Sequence, residues 1–324
     1  MPLTMKRRTV ICTLGSDADL FHAVKTVTGL CRLEAQGCID LKLRRSPEIG
    51  QHAILLEWNG VKAGIDLSDH NDRFMPELSN CDLYFKRCVR PEDLKSGDRI
   101  RPFGLNYACR STKATLRLIG LFGPRDMMRR RNAWKKLLLV PLLAEFERSP
   151  ALPASSTILF QARLWDPAEC PGDEKVNEDR VRLLVALRSQ FQQRLAGGLA
   201  PTPHAKQHYP ELLTRYPSRQ SRYVRWAREH LISIGFRGLF GSLGFKIGEA
   251  FSASQCLVSE PTTSYLSADA PLANYRNVEE CITICDHYLS HPHEADQLRN
   301  QAWEYYRREV EPGAHTEKLL SSIE

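Results

Sequence analysis

Residues 9–14 (TVICTL) are apolar or β-branched throughout, whereas residues 18–36 space their apolar side chains three and four positions apart. The first pattern predicts a buried strand and the second a helix packed on it, with Gly15-Ser16 as the turn between them. Two further strand-like runs, 53–58 and 61–67, flank Asn59-Gly60. That dipeptide predicts a tight hairpin, because it accepts the positive φ angles such a turn needs. Asp66, Asp69, His70 and Asp72 then leave the second hairpin strand together. Short strands are predicted at 82–86 and 100–103, with a loop at 104–107.

The stretch ERSPALPASS, rich in Pro and Ser, reads as a boundary near residue 150. Beyond it the pattern predicts a strand at 156–160 and a helix at 177–196 with apolar residues at 181, 184, 185, 187 and 191. A helix at 223–229, a strand at 231–234, a glycine-rich loop at 237–244, a helix at 245–253 and a strand at 256–259 follow, then helices to the end. Strand followed by crossover helix is the unit of a parallel sheet. The expected fold class is therefore α/β, with two Rossmann-like domains facing each other across a cleft and ligands at the carboxyl ends of the strands. The expected divisions are 1–150, 151–295 and a closing helix at 296–324. Trp303, Tyr305 and Tyr306 are expected to anchor that helix toward the first domain.

A length of 324 residues suits two such domains, and 42% hydrophobic with 26% charged residues excludes a disordered or fibrous chain. The formal charge of +7 favours anionic partners, whether nucleotide diphosphates, lipid surfaces or nucleic acid. Ten cysteines without C-x-x-C spacing read as reduced, mostly buried thiols, and Cys281 and Cys285, one helical turn apart, as packing residues. The basic N-terminus turns apolar, but Gly15, Ser16, Asp17 and Asp19 interrupt it too early for a signal segment. No run approaches the roughly 20 apolar residues of a membrane span. A cytoplasmic protein, at most peripheral to a membrane, is expected.

Residues 125–136 form a basic amphipathic stretch, read either as a contact with an anionic membrane or as the charged outer face of a helix. Residues 209–226 interleave basic and aromatic side chains without a recognisable nucleic-acid module, so they read as a mobile loop on the donor side, and no nucleic acid is expected.

The densest chemistry lies in GFRGLFGSLGFKIGEAFSASQCLVSEP, residues 235–261. Gly238, Gly241 and Gly244 feed a helix and could offer backbone N–H groups to a diphosphate, with Arg237 and Lys246 adding charge. A plain strand-to-helix connection with solvated cations would show the same glycines. In the first half, the cluster Asp66, Asp69, His70 and Asp72 could supply a base, with Asp69 ahead of Asp66, or could be a solvated loop. A metal site there is disfavoured, since the cluster itself contains no D-x-D.

The segment 235–261 resembles the donor-binding half of GT-B glycosyltransferases, above all those with a pattern like R…G…K/R-x-x-E-A-x-A-x-G-x-x-x-V-S. The match runs through GFKIGEAFSASQCLVSEP and on into VEECITICDHYLSHPHEADQLRNQAWEYYRREVEP. The resemblance implies a glycosyltransferase moving a sugar from a nucleotide-sugar donor to a hydroxyl acceptor, with a glycan, lipid-linked or small-molecule acceptor and no required metal or cofactor. It implies donor contacts from Arg163, Arg237, Gly241, Ser242, Lys246 and Glu249, with Glu249 on the ribose hydroxyls and the cations on the diphosphate. The sequence departs from the pattern at Gly241, where many retaining members carry a first glutamate, and at Ser254-Gln255, where a glycine is usual. A non-catalytic binder of nucleotide or carbohydrate, and a nucleic-acid-binding protein, remain as alternatives.

Overall fold

In a computed structural model of the protein, the residues described are 8–95, 99–152, 154–173, 175–216 and 220–323. The basic start of the chain, residues 1–7, and residues 217–219 of the expected donor-side loop lie outside them. The chain forms two compact units. The first comprises Met1–Leu143, Thr263–Ser267 and Arg307–Glu324, and the second Ala144–Thr262 and Ala268–Tyr306. Among the described residues, no helix is long and apolar enough to cross a membrane.

The first unit runs β1 (Arg8–Gly15), α1 (Leu20–Ala35), β2 (Ile39–Ser46), β3 (Ala53–Trp58), β4 (Val61–Asp66), β5 (Leu83–Lys86), β6 (Ile100–Pro102), α2 (Thr112–Arg129) and α3 (Arg131–Leu138). Its sheet has the order β2-β1-β3-β4-β5-β6, parallel except that β3 is antiparallel to both neighbours. The hairpin turn is as the sequence predicts, with Asn59 at φ 52° and Gly60 at φ 84°. Val10, Cys12 and Leu14 of β1, Val24, Val27 and Leu30 of α1, and Ile54 and Leu56 of β3 have no solvent exposure. The alternating side of the strand and the apolar stripe of the helix thus face each other.

In chain order α4 (Leu143–Phe146) falls at the changeover, and the second unit continues with β7 (Ser155–Ala162), α5 (Lys175–Phe191), β8 (Leu195–Leu199), α6 (Pro203–His208), α7 (Gln220–Ala227), β9 (His230–Gly235), α8 (Phe245–Ser252), β10 (Cys256–Ser259), β11 (Leu272–Asn274), α9 (Val278–Ser290) and α10 (Pro292–Tyr305). The sheet order is β11-β10-β9-β7-β8, parallel throughout. Numbered from its own first strand this is 2-1-3-4-5, a doubly wound order in which the connections reverse direction between β7 and β9. The α/β class and the Rossmann-like character expected from sequence both hold.

Two strands differ from expectation. β2 ends in Lys42, Arg44 and Arg45, and these charges hide an edge strand from a search for apolar runs. β8 (LAGGL) reads in sequence as the end of a helix, yet α5 stops at Phe191. The reason is close packing: a Cβ on Gly197 would lie 1.9 Å from the carbonyl oxygen of Phe160 in β7.

The aromatic cluster near the C-terminus belongs to the second unit. The ring of Tyr305 packs against Phe251 of α8 at 5.3 Å, and the Tyr306 hydroxyl donates to Glu147 at 3.0 Å. After it, α11 (Pro312–Ser321) is part of the first unit and lies on α1. All ten cysteines are free thiols, buried except Cys38.

Candidate functional site

The carboxyl edge of the second sheet holds most of the residues expected to bind a donor. Ligands of doubly wound sheets sit where the connections diverge, and here Arg163 follows β7 while Phe236 and Arg237 follow β9. The two segments are tied together by Arg180 of α5. Its guanidinium, 7% exposed, donates to the carbonyl oxygens of Arg163 (2.6 Å) and Arg237 (2.9 Å), and burial pulls its pKa down to about 10. Sequence reasoning missed Arg180. The signal was there: it occupies the stripe continued by Leu184, Leu187 and Phe191, where an arginine needs a buried partner.

The cations at this edge are already engaged. Arg163 pairs with Glu169 at 2.8 Å and lies 4.2 Å over the Trp165 ring, half-exposed. Arg237 donates to both oxygens of Asp173 (2.8 and 3.0 Å) and to Glu260 (3.1 Å). The glycine-rich loop then winds through Phe240 (φ 56°) and Gly241 (φ 72°). Asp173 braces it by accepting from Phe240 N at 3.0 Å. Ser242 is buried, its carbonyl oxygen accepting from Gly238 N (2.8 Å) and its N–H donating to Leu239 (3.1 Å), so its backbone closes the loop.

Gly244 caps α8, and one turn in, Lys246 and Glu249 form an ion pair of 3.1 Å. The Lys246 ammonium also donates to the Tyr223 hydroxyl and sits over that ring. Burial opposes its charge, but Glu249 and Tyr223 outweigh burial and raise its pKa above the ordinary lysine value. The same Glu249 oxygen, buried, makes no hydrogen bond beyond this ion pair. Beside the loop, a cavity of about 250 Å³ is lined by Arg180, Phe236, Glu260, Tyr275, Asn277 and Glu279, just under the ~300–1,000 Å³ of usual small-molecule sites.

In the first unit the acidic cluster separates into two kinds of residue. Asp66 is fully buried and accepts from Lys86 Nζ (2.8 Å), the Tyr84 hydroxyl (2.8 Å) and Ser68 N (2.9 Å). This corrects its reading as a candidate base: with both oxygens committed inside the core, it fixes the loop that follows β4. Asp69 is the exposed carboxylate, 41% accessible, and accepts from Arg87 at 2.5 Å.

Two histidines that sequence reasoning missed stand at the same carboxyl edge. His22 opens α1, and His52 precedes β3, where its carbonyl oxygen accepts from Leu67 N after β4. Their rings meet edge-on at 5.5 Å. Burial, then Arg87, lowers the pKa of His22 to about 4, with Asp19 and Asp69 acting in the opposite sense, so the ring is neutral near pH 7. The antiparallel placement of β3 is what brings His52 to an edge that its sequence position does not suggest.

No protein-family profile matches the chain, and no curated protein sequence matches it. Solved structures similar to it include a glycosyltransferase from Rickettsia africae, at 11% identity over 98% of both chains with a TM-score of 0.48. An α1,3-fucosyltransferase with GDP-fucose is similar at 12% identity, over 93% of this chain and 85% of the other, with a TM-score of 0.42. The C-terminal domain of a glycosyl transferase group 1 family protein (LpcC) from Francisella tularensis is similar at 12% identity over 51% of this chain and 94% of that domain, with a TM-score of 0.33.

Proposed function

We propose that the chain is a glycosyltransferase that moves a sugar from a nucleotide-sugar donor to a hydroxyl acceptor in glycan or polysaccharide biosynthesis. The observation that carries this reading is a coincidence of place. At the reversal point of a 2-1-3-4-5 parallel sheet, a glycine-rich loop feeds a helix whose first turns carry Lys246 and Glu249.

In this reading the Glu249 carboxylate accepts from the donor ribose hydroxyls, and Lys246 exchanges its partner for the diphosphate. The acceptor oxygen bonds to the anomeric carbon and its proton passes to a base, Asp69 in an inverting transfer. The bond from that carbon to the diphosphate oxygen breaks, and its electron pair leaves with the nucleoside diphosphate. Cations near the leaving group stabilise the charge it gains, so no metal is required.

A second reading has an observation in its favour: Arg237 is held by Asp173 and Glu260, with Asp179 at 4.0 Å, so its charge is largely spent within the unit. A non-catalytic nucleotide or carbohydrate binder would keep such pairs. Thermal-shift and calorimetric titration of the whole chain with UDP-, GDP- and ADP-sugars separates these readings, because a bound ligand raises stability by mass action. Binding of one donor with release of its nucleoside diphosphate is expected. Binding without turnover would favour the binder, and no nucleotide binding would sink both.

A further inference from the structure

We propose that the exposed side of 124–138 in the first unit is a docking surface for an anionic lipid bilayer. Between residues 112 and 142 the chain carries eight Lys and Arg against a single acid, Asp126, a local excess equal to the +7 of the entire sequence. That acid is buried and accepts from Arg130 at 3.0 Å and from the Trp134 indole N–H at 3.1 Å, and of the outward-facing cations it pairs with Arg129, at 3.0 Å.

Backbone geometry divides the stretch into two short helical segments. α2 breaks at Gly123 (φ 75°) ahead of Pro124, and a new segment runs to Arg129, followed after Arg130 by α3. The first segment turns Arg125, Met128 and Arg129 to solvent, at helical spacing. The second turns out Arg131, Lys135 and Leu138, while Trp134 and Leu137 are buried. Each exposed side therefore mixes cations with an apolar residue. Met128 is 74% and Leu138 43% exposed, and Arg125, Arg131 and Lys135 have no carboxylate partner among the described residues.

Charge alone would suit any polyanion. The apolar residues choose between them: Met128 and Leu138 gain nothing against a phosphodiester backbone, but in the headgroup layer they leave water while the flanking cations stay beside lipid phosphates. Each cation near such a surface contributes about 1 kcal/mol, or roughly fivefold in partitioning, weakened by salt.

The test is co-sedimentation of the full chain with vesicles of phosphatidylcholine alone and of phosphatidylcholine with about one third phosphatidylglycerol. Binding only to the anionic vesicles is expected, falling about fivefold for each of Arg125→Gln, Arg131→Gln and Lys135→Gln. The double variant Met128→Ser with Leu138→Ser should lose vesicle binding with its melting temperature kept, since both side chains are already exposed. Equal binding to both vesicle types, or none to either, overturns the proposal. So does duplex DNA binding that the cation variants weaken while vesicles are ignored, which would make the face a nucleic-acid surface.

Discussion

Glu249 and Lys246 are three residues apart on one helix and already touch, yet the proposed chemistry asks different things of them. Glu249→Ala removes the acceptors for two ribose hydroxyls and should weaken nucleotide affinity by about 3–6 kcal/mol, the sum of two charge-assisted bonds. Lys246→Ala removes charge beside the diphosphate, so it should depress turnover at saturating donor as well as binding. Calorimetry and steady-state kinetics on both variants check the contrast, and an unchanged affinity in folded Glu249→Ala would mean the donor site lies elsewhere.

Asp69 and Asp66 give a second contrast, now between chemistry and stability. Asp69→Asn should lower kcat by about 100- to 10,000-fold with donor affinity kept, as the loss of a general base does. Asp66→Asn leaves the fully buried Lys86 without its counter-charge and should destabilise the fold by about 3–5 kcal/mol, read by chemical denaturation. Normal turnover in Asp69→Asn would pass the role of base to another group of that edge, with neutral His22 the next to test. Because protein cations face the leaving group in this scheme, turnover should also survive EDTA.

At the scale of elements, the seam between α1 and α11 is set by one residue. Gly29 lies in the middle of α1, and a Cβ there would sit 2.1 Å from both the Pro312 carbonyl oxygen and Thr316 Oγ1. The backbone oxygen cannot turn aside, so α11 must shift. Gly29→Ala should gain helix propensity yet cost about 1–3 kcal/mol through overpacking, against the usual sign of a helical Gly-to-Ala change. A higher melting temperature in that variant would show that α11 contributes little. Nearby, Lys25 Nζ donates to the Leu105 carbonyl oxygen at 2.5 Å and His315 meets that of Phe103 at 2.6 Å, so the same seam carries buried titratable groups.

For the molecule as a whole, those groups set a pH dependence. His315 in the first unit and His230 in the second are both buried, and burial lowers their pKa values to about 3 and about 4. An unfolded histidine takes its proton near pH 6.5, whereas these take theirs only at much lower pH. Between those values the unfolded state binds more protons, so stability falls as pH falls, by about 1.4 kcal/mol per pH unit for each histidine. The second unit should therefore lose about 2 kcal/mol between pH 6.5 and pH 5, and the first, which also holds His22 with its pKa at about 4, about 3–4 kcal/mol. Urea denaturation at those two pH values reads the change, and a flat response would mean that these rings are protonated within the fold.

Much of this was legible in the chain because the signals are local. The turn at Asn59-Gly60, the apolar runs of β1 and β7, and the glycines ahead of α8 act within a few residues of themselves, so the α/β alternation and the candidate donor loop follow from spacing. Tertiary structure alone decided the rest, since what a charged or small residue does depends on what lies opposite it. Whether Asp66 faces water or Lys86, whether Arg237 is free or held by Asp173 and Glu260, and whether LAGGL closes a helix or pairs with β7 are settled by partners 20 to 64 residues away. Desolvation of a carboxylate or close approach of a backbone costs kilocalories, far more than local propensity, so those distant contacts overrule the local pattern.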